Sequence, residues 1–104
     1  MADKTRVEQL EDFLKAKPND PLTRYMLAME LKKLGRNDDS LKAFDALHEH
    51  NADYVPAYLM HGQLLNTLGR PDDARKVLER GIAMASKVGN GHALGEMTEL
   101  LESL

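Results

Sequence analysis

Two six-residue segments of this chain are near copies of each other, and their spacing constrains the fold more than any other feature. Residues 34–39 read LGRNDD and residues 68–73 read LGRPDD, so the two glycines stand 34 residues apart. A fixed period of this length is typical of stacked helical hairpins. Because one hairpin cannot bury its apolar face alone, neighbouring copies are expected to supply the core.

The same shift aligns positions well beyond the motif. Identical pairs include Met26 and Met60, Leu31 and Leu65, and Lys42 and Lys76. Apolar residues in each copy recur three and four positions apart, which is the spacing of one helix face. In the first copy these residues are Leu27, Leu31, Leu34, Leu41, Phe44 and Leu47. No segment alternates with the two-residue period of a strand, so the chain is predicted to be all-α.

Capping residues mark where the helices should begin and end. Asp20 followed by Pro21 is typical of a helix start, because the carboxylate accepts hydrogen bonds from free amides and proline suits the first turn. Gly35 and Gly69 stand where a helix should end in the left-handed conformation, which glycine adopts at least cost. The paired aspartates after each glycine are expected in the first turn of the helix that follows, at the positive end of its dipole.

This pattern resembles the tetratricopeptide repeat family, in the form of a small, stand-alone, bacterial-type protein. The family unit is a helix-turn-helix of about 34 residues, with small residues where its two helices touch. Matching small residues are Ala28, Ser40, Gly62 and Ala74, and matching large ones are Leu27, Leu31, Phe44, Tyr58, Leu65 and Leu78. The resemblance implies an α-α superhelix, a right-handed solenoid segment of about six antiparallel helices.

The resemblance also suggests how the chain is divided. We expect a single domain over residues 1–104, built from a half repeat, two whole repeats and a cap. The half-repeat helix is predicted at 3–17, the first repeat at 21–51, the second at 55–88 and the capping helix at 92–103. Five positions depart from the family pattern. Arg24 and His61 stand where large apolar residues are usual, and the others are Leu47 and Gly81 in place of a typical alanine and Ser86 in place of the closing proline.

Composition excludes several classes of function. The net charge is −3 and the basic residues are spread along the chain, so no basic face for nucleic acid is expected. There is no cysteine, hence no thiolate chemistry and no disulfide framework. Neither a signal peptide nor a run of about 18 apolar residues is visible, so we expect no membrane span and a cytoplasmic location.

The candidate catalytic and metal-binding residues have simpler explanations. His48 and His50 are two positions apart, which points their side chains to different faces of a helix, so we interpret them as two solvated imidazoles. His61 is expected to be half-buried and hydrogen-bonded. The repeated aspartates are explained as helix starts, and no phosphate loop, nucleophile elbow or zinc motif occurs. We therefore predict no metal, no cofactor and no enzymatic activity.

The remaining candidate is the groove that tetratricopeptide arrays form with the first helices of their units. The resemblance places nine partner-binding residues there: Tyr25, Met26, Met29, Lys32, Lys33, Leu59, Met60, Gln63 and Asn66. Tyrosine gives rigid contact area and methionine adapts its shape to varied apolar partners. The alternative is that the methionines pack in the core or under the capping helix. The family's carboxylate-clamping residues are replaced at the matching positions, so binding of a chaperone tail is not expected.

Two functions remain open at this point. The first is an interaction module or scaffold that binds a peptide segment of another protein in the concave groove. The second is structural self-association, as a weak homodimer formed through an exposed terminal helix. The residues suspected in the second case are Leu100, Leu101 and Leu104.

Overall fold

The computed structural model describes residues 4–104, which form six α-helices joined by short turns. These are α1 (Arg6–Ala16), α2 (Pro21–Lys33), α3 (Asn37–His50), α4 (Pro56–Thr67), α5 (Pro71–Val88) and α6 (Gly91–Ser103). No β-strand occurs among residues 4–104, and no helix there combines the length and apolar character needed to cross a membrane. The predicted all-α class with six helices is therefore confirmed for this part of the chain. The predicted first helix began at residue 3, which lies outside the residues that the structure describes.

The helices belong to two compact units, the first ending at Asn51 and the second comprising Ala52–Leu104. In the first unit α2 packs against both α1 and α3. In the second unit α5 packs against both α4 and α6. Helices α2 and α3 lie within the range assigned to the first repeat, and α4 and α5 within that assigned to the second. The repeat boundaries themselves stay a prediction.

The repeated motif forms the turn between the two helices of each hairpin. Gly35 and Gly69 have φ angles of 75° and 74°, as expected for a left-handed helix end. The amide of the next residue, Arg36, donates to the carbonyl of Leu31 at 2.9 Å, and the same bond of 2.9 Å recurs one repeat later. These bonds satisfy carbonyl groups that the helix end leaves without a partner.

The arginine of each motif also has a local role. Arg36 forms an ion pair with Asp39 at 2.9 Å, and Arg70 forms one with Asp73 at 2.8 Å. Both pairs lie at the surface, where such contacts contribute less than about 1 kcal/mol. The conspicuous repeated motif is thus a device for ending one helix and starting the next.

Side-chain caps fix the starts of α1 and α2. Thr5 accepts a hydrogen bond of 3.1 Å from the Glu8 amide, and the Glu8 carboxylate accepts one in return from Thr5, which forms a capping box. Asp20 accepts a hydrogen bond of 3.0 Å from the Thr23 amide. The Thr23 hydroxyl also donates to Asp20, and these two bonds lower the pKa of the Asp20 carboxyl. The predicted helix start at Asp20 is confirmed.

The core of the first unit is built from fully buried residues on facing sides of α2 and α3. Phe44, Leu47, Ser40 and Ala28 are all 0% exposed. The Ser40 hydroxyl donates to the Ala28 carbonyl at 2.7 Å, so its polar atom is satisfied inside the core. Small side chains at these two positions let the helices approach while the larger pair fills the space around them.

Two glycines permit close packing in the second unit. A Cβ atom at Gly62 would lie 2.6 Å from Leu78 Cδ2. A Cβ atom at Gly81 would lie 2.5 Å from Met97 Sδ and closer still to Tyr58 Cβ. All three of these neighbours are nearly or fully buried. Contact between α5 and its neighbours therefore depends on the absence of a side chain at both glycines.

Replacing Gly62 with leucine should lower the free energy of unfolding by about 1–3 kcal/mol, because the added atoms overpack a filled contact. Chemical denaturation followed by far-UV circular dichroism measures the change. Gly95→Leu is the matched control, since a Cβ atom at this helical glycine meets nothing within 4 Å. A Gly62→Leu protein as stable as the control would contradict the close packing of α4 and α5.

Candidate functional site

A surface cleft of about 370 Å³ lies in the first unit, between the start of α1 and the exposed side of α2. The residues that line it are Arg6, Tyr25, Met26, Met29, Glu30 and Lys33. Arg6 comes from α1 and the other five come from α2. The exposed surface of its lining is mostly apolar, although three of the six lining residues are charged.

The helical period explains why α2 presents these five residues together. Their positions differ by one, three, four, five, seven or eight, so they share one broad face of the helix. Ala28 and Leu31 lie between them in sequence and are buried, with Ala28 against α3. Because one side of α2 packs in the core, Tyr25, Met26 and Met29 are left half-buried on the other side.

Four of the nine predicted partner-binding residues come together in this cleft, namely Tyr25, Met26, Met29 and Lys33. Lys32 is half-buried on α2 but does not line the cleft. Met26 and Met29 lie in the cleft, whereas the fully buried methionine of the second unit is Met97. A role for these residues in partner binding stays a prediction.

The other four predicted residues lie on α4, in the second unit. Leu59 and Met60 are half-buried, and Gln63 and Asn66 are exposed. The 34-residue shift aligns these residues with cleft residues and with Lys32 of α2. Their role in binding likewise stays a prediction.

Sequence reasoning missed Arg6 and Glu30. Glu30 was missed because it was grouped with neither the apolar stripe nor the lysines, although it is one turn from Met26. Arg6 was missed because it belongs to a different helix, and the period of α2 cannot show what lies beside it. The repeat itself held a signal, since the 34-residue shift aligns Arg6 with Ser40 and, one repeat later, with Ala74. A long cation stands where both later copies have a small residue.

The charged side chains that line the cleft carry a net positive charge. Arg6 and Lys33 face a single lining carboxylate, that of Glu30. Among the described residues, neither of the two cations takes part in an ion pair. A ligand that carries a carboxylate can therefore meet them without breaking an ion pair among residues 4–104.

The histidines differ in part from our interpretation. His50 is exposed as expected, but His48 is only 4% exposed, so the interpretation of two solvated imidazoles is wrong. The reason is helical period, because position 48 lies one turn beyond Phe44 on the buried face of α3. His61 is also 4% exposed and is more deeply buried than predicted. Within residues 4–104, no three acidic or histidine side chains come close enough together to hold a metal ion.

Comparisons with known proteins agree with this architecture. The family model described as tetratricopeptide repeat matches residues 55–87. A crystal structure of a tetratricopeptide repeat domain protein from Salinibacter ruber is 36% identical, with a TM-score of 0.74 over 81% of this chain and 93% of that one. The chain belongs to the tetratricopeptide repeat family. The NMR solution structure of the Salinibacter ruber domain gives a TM-score of 0.77 over 83% and 87% of the two chains.

The tetratricopeptide repeat fold also appears in a more distant structure. The TPR2B domain of yeast Sti1, in complex with pHsp70, is 20% identical, with a TM-score of 0.84 over 92% of this chain and 77% of that one. At this identity the likeness concerns the fold alone. No curated protein matches the chain. Tetratricopeptide repeat proteins are generally interaction modules that present binding surfaces to other proteins.

Proposed function

We propose that this tetratricopeptide repeat protein is an interaction module that binds a peptide segment of a partner protein in the cleft between α1 and α2. The observation that carries the proposal is the composition of the cleft. One tyrosine and two methionines form its wall, together with three charged side chains that line the same cleft. Protein-binding surfaces commonly combine an apolar centre rich in aromatic residues and methionine with a polar rim.

Each part of the wall suits this role. Tyr25 offers a large rigid surface at a low cost in conformational entropy. Met26 and Met29 are flexible and polarisable, so they adapt to apolar side chains of different shape. A volume of about 370 Å³ lies near the lower end for ligand pockets, which suits a few side chains of a peptide. A contact of this size favours weak, transient binding.

The equivalent face of α4, within the second unit, is proposed as a further peptide-binding surface. Under the repeat shift, Leu59, Met60 and Gln63 take the positions of Tyr25, Met26 and Met29. Asn66 takes the position of Lys32. The support for this part of the proposal is positional equivalence, together with the pHsp70 complex of a domain that shares the fold.

Self-association through α6 has less support. Leu100, Leu101 and Leu104 are each half-buried, so α6 does not expose a broad leucine surface. Within residues 4–104, the most exposed large apolar side chains are instead Phe13, Leu22, Leu34 and Val88. Peptide binding by the first unit is therefore the function that we put forward.

A double variant tests the proposal. Tyr25→Ala combined with Met29→Ala should weaken capture of the natural partner about tenfold or more, because the largest contact surfaces of the cleft are lost. Partners are identified by affinity purification from the native cells, and the dissociation constant is then measured with the purified partner. Circular dichroism checks that the helices remain folded.

The control variant carries the same substitutions elsewhere. Tyr54→Ala with Met84→Ala changes a half-buried tyrosine and a half-buried methionine of the second unit, outside the cleft. We expect this variant to capture the partner as the wild type does. If the cleft variant stays folded and its dissociation constant is unchanged, the proposed function is wrong.

A further inference from the structure

The apolar surface of the first unit extends beyond the cleft. Phe13 is 47% exposed and Leu22 is 54% exposed. Phe13 lies seven residues after Arg6 on α1, and Leu22 lies seven residues before Met29 on α2, so each shares a helix face with a cleft residue. We call the surface formed by Phe13, Leu22 and the cleft residues the α1–α2 face. From Leu22 to Lys33 it runs for about three helical turns, or roughly 16 Å.

The repeat indicates what kind of element fits this face. Helix α1 corresponds to α5 under twice the repeat shift, which aligns Leu10 with Leu78 and Phe13 with Gly81. On α5 these two positions contact α4, through Gly62 and Tyr58, and position 81 also lies against Met97 of α6. The positions that a helix covers on α5 thus have apolar counterparts on α1.

The equivalent positions of α1, α3 and α5 differ in how much of the residue is exposed to solvent. Gly81 is buried, and Leu47, its counterpart on α3, is 0% exposed. Phe13 stands at the same position of α1 with nearly half of its surface exposed. Leu10, the other counterpart, is only 6% exposed, so Phe13 is the part of this apolar helix-packing position that remains accessible on α1. An occupant with the shape of an α-helix would bury Phe13 in the way that α4 buries Gly81.

Arg6 indicates the charge of that occupant. Its counterparts Ser40 and Ala74 are 0% exposed, and Ser40 lies against a backbone carbonyl of the adjacent helix. At this position of α1 a docked helix meets a guanidinium group instead of a small side chain. Lys33 lies beside the same cleft and adds a second positive charge. A carboxylate is the group that best complements two such cations, since it forms charge-assisted hydrogen bonds with them.

We infer that the α1–α2 face binds an amphipathic helix of a partner protein, with acidic residues at the end of the helix that lies over Arg6 and Lys33. The apolar residues of this helix recur at positions i, i+3 or i+4, and i+7, as in other helices bound in grooves. The inference rests on the proposed function and names the kind of segment that the cleft binds. The helix completes the packing of α1 in the manner that α4 completes that of α5.

The natural helix is unidentified, so the probe is a synthetic peptide with the sequence of α4. Residues 55–68 of this chain are prepared as a peptide that a lactam bridge holds in the helical form. Asn66 and Thr67, in the exposed last turn before α5 begins, are both changed to glutamate in one peptide and to lysine in another. Binding to the full chain is measured by fluorescence anisotropy at low and high salt.

We expect the glutamate peptide to bind about tenfold more tightly than the lysine peptide at low salt, with a smaller difference at high salt. Arg6→Glu combined with Lys33→Glu should reverse the preference. Arg75→Glu combined with Lys76→Glu, on the exposed surface of α5, reverses the same two kinds of charge outside the cleft and should leave the preference intact. The bridged glutamate peptide should also bind more tightly than its unbridged form, because the bridge removes part of the ordering cost.

Other outcomes would overturn the inference in distinct ways. Equal or tighter binding of the unbridged peptide would mean that the cleft takes an extended segment, and the proposed function would still stand. A preference that survives the double charge reversal would place the acidic end elsewhere. A dimer in sedimentation velocity that Arg6→Glu dissociates would identify a second copy of the chain as the occupant. If no bridged peptide binds, helix docking is wrong, while partner capture with the Tyr25 and Met29 variant still decides the proposed function.

Discussion

Replacing Phe44 with alanine should lower the free energy of unfolding by about 3–5 kcal/mol, the largest effect that we expect from any single substitution. Phe44 is 0% exposed in the core of the first unit, among Leu47, Ser40 and other buried side chains. Removing its ring forfeits the burial of a large apolar surface and leaves a cavity that the packed helices cannot fill. Urea denaturation followed by circular dichroism measures the loss.

Phe13 provides the matched control, because the chain has two phenylalanines and they differ in burial. Phe13 is 47% exposed, and its ring lies 5.9 Å from the Lys17 ammonium group. We expect Phe13→Ala to cost about 1 kcal/mol or less, as is usual for surface positions. Equal losses for the two variants would mean that Phe44 is not in a packed core.

The second large effect concerns Gly81. Gly81→Ala should lower the free energy of unfolding by about 1–3 kcal/mol, although alanine is the better helix former. The added methyl group would meet Tyr58 at its Cβ atom, which is close to the backbone of α4 and cannot rotate away. It would also meet Met97 of α6, so α5 would have to move away from both neighbours.

Gly95→Ala should change stability in the opposite direction. Gly95 lies within α6 and a Cβ atom there meets nothing within 4 Å, so the substitution keeps only its benefit to the helix, about 0.5–1 kcal/mol. Thermal unfolding of the two variants gives a direct comparison. A Gly81→Ala protein that gains stability as Gly95→Ala does would contradict the three-helix contact.

Local signals in the sequence were sufficient to predict most of the secondary structure. Helix ends depend on residues within a few positions, so Asp20, Gly35 and Gly69 could be assigned from capping preferences alone. The repeat then supplied the register of the second copy from the first. The capping box at Thr5 was missed, although its Glu8 partner three residues later is a sequence signal.

Features that depend on two helices at once were harder to predict. In the sequence, Gly81 was only a departure from the alanine that is typical of the family at this position. In the structure, the absence of a side chain at Gly81 leaves room for Tyr58 and Met97. The cleft needs Arg6 from α1 beside α2, and a periodicity analysis treats each helix separately. The interpretation of His48 as a solvated side chain was wrong, because its spacing from Phe44 places it on the buried face of α3, whereas its spacing from His50 says nothing about burial. The sequence thus grouped Tyr25, Met26, Met29 and Lys33 on one surface, but it did not predict Arg6 and Glu30 beside them.

The methionines of the cleft give the protein a chemical sensitivity to oxidants. Hydrogen peroxide converts an accessible thioether to a sulfoxide, which is polar and a poor substitute for methionine in an apolar contact. Met26 and Met29 are half-buried and open to solvent, whereas Met97 is 0% exposed. Mild oxidation should therefore reach Met26 and Met29 before it reaches the packing around Gly81, so under the proposed function we expect partner binding to weaken while the helices are still folded.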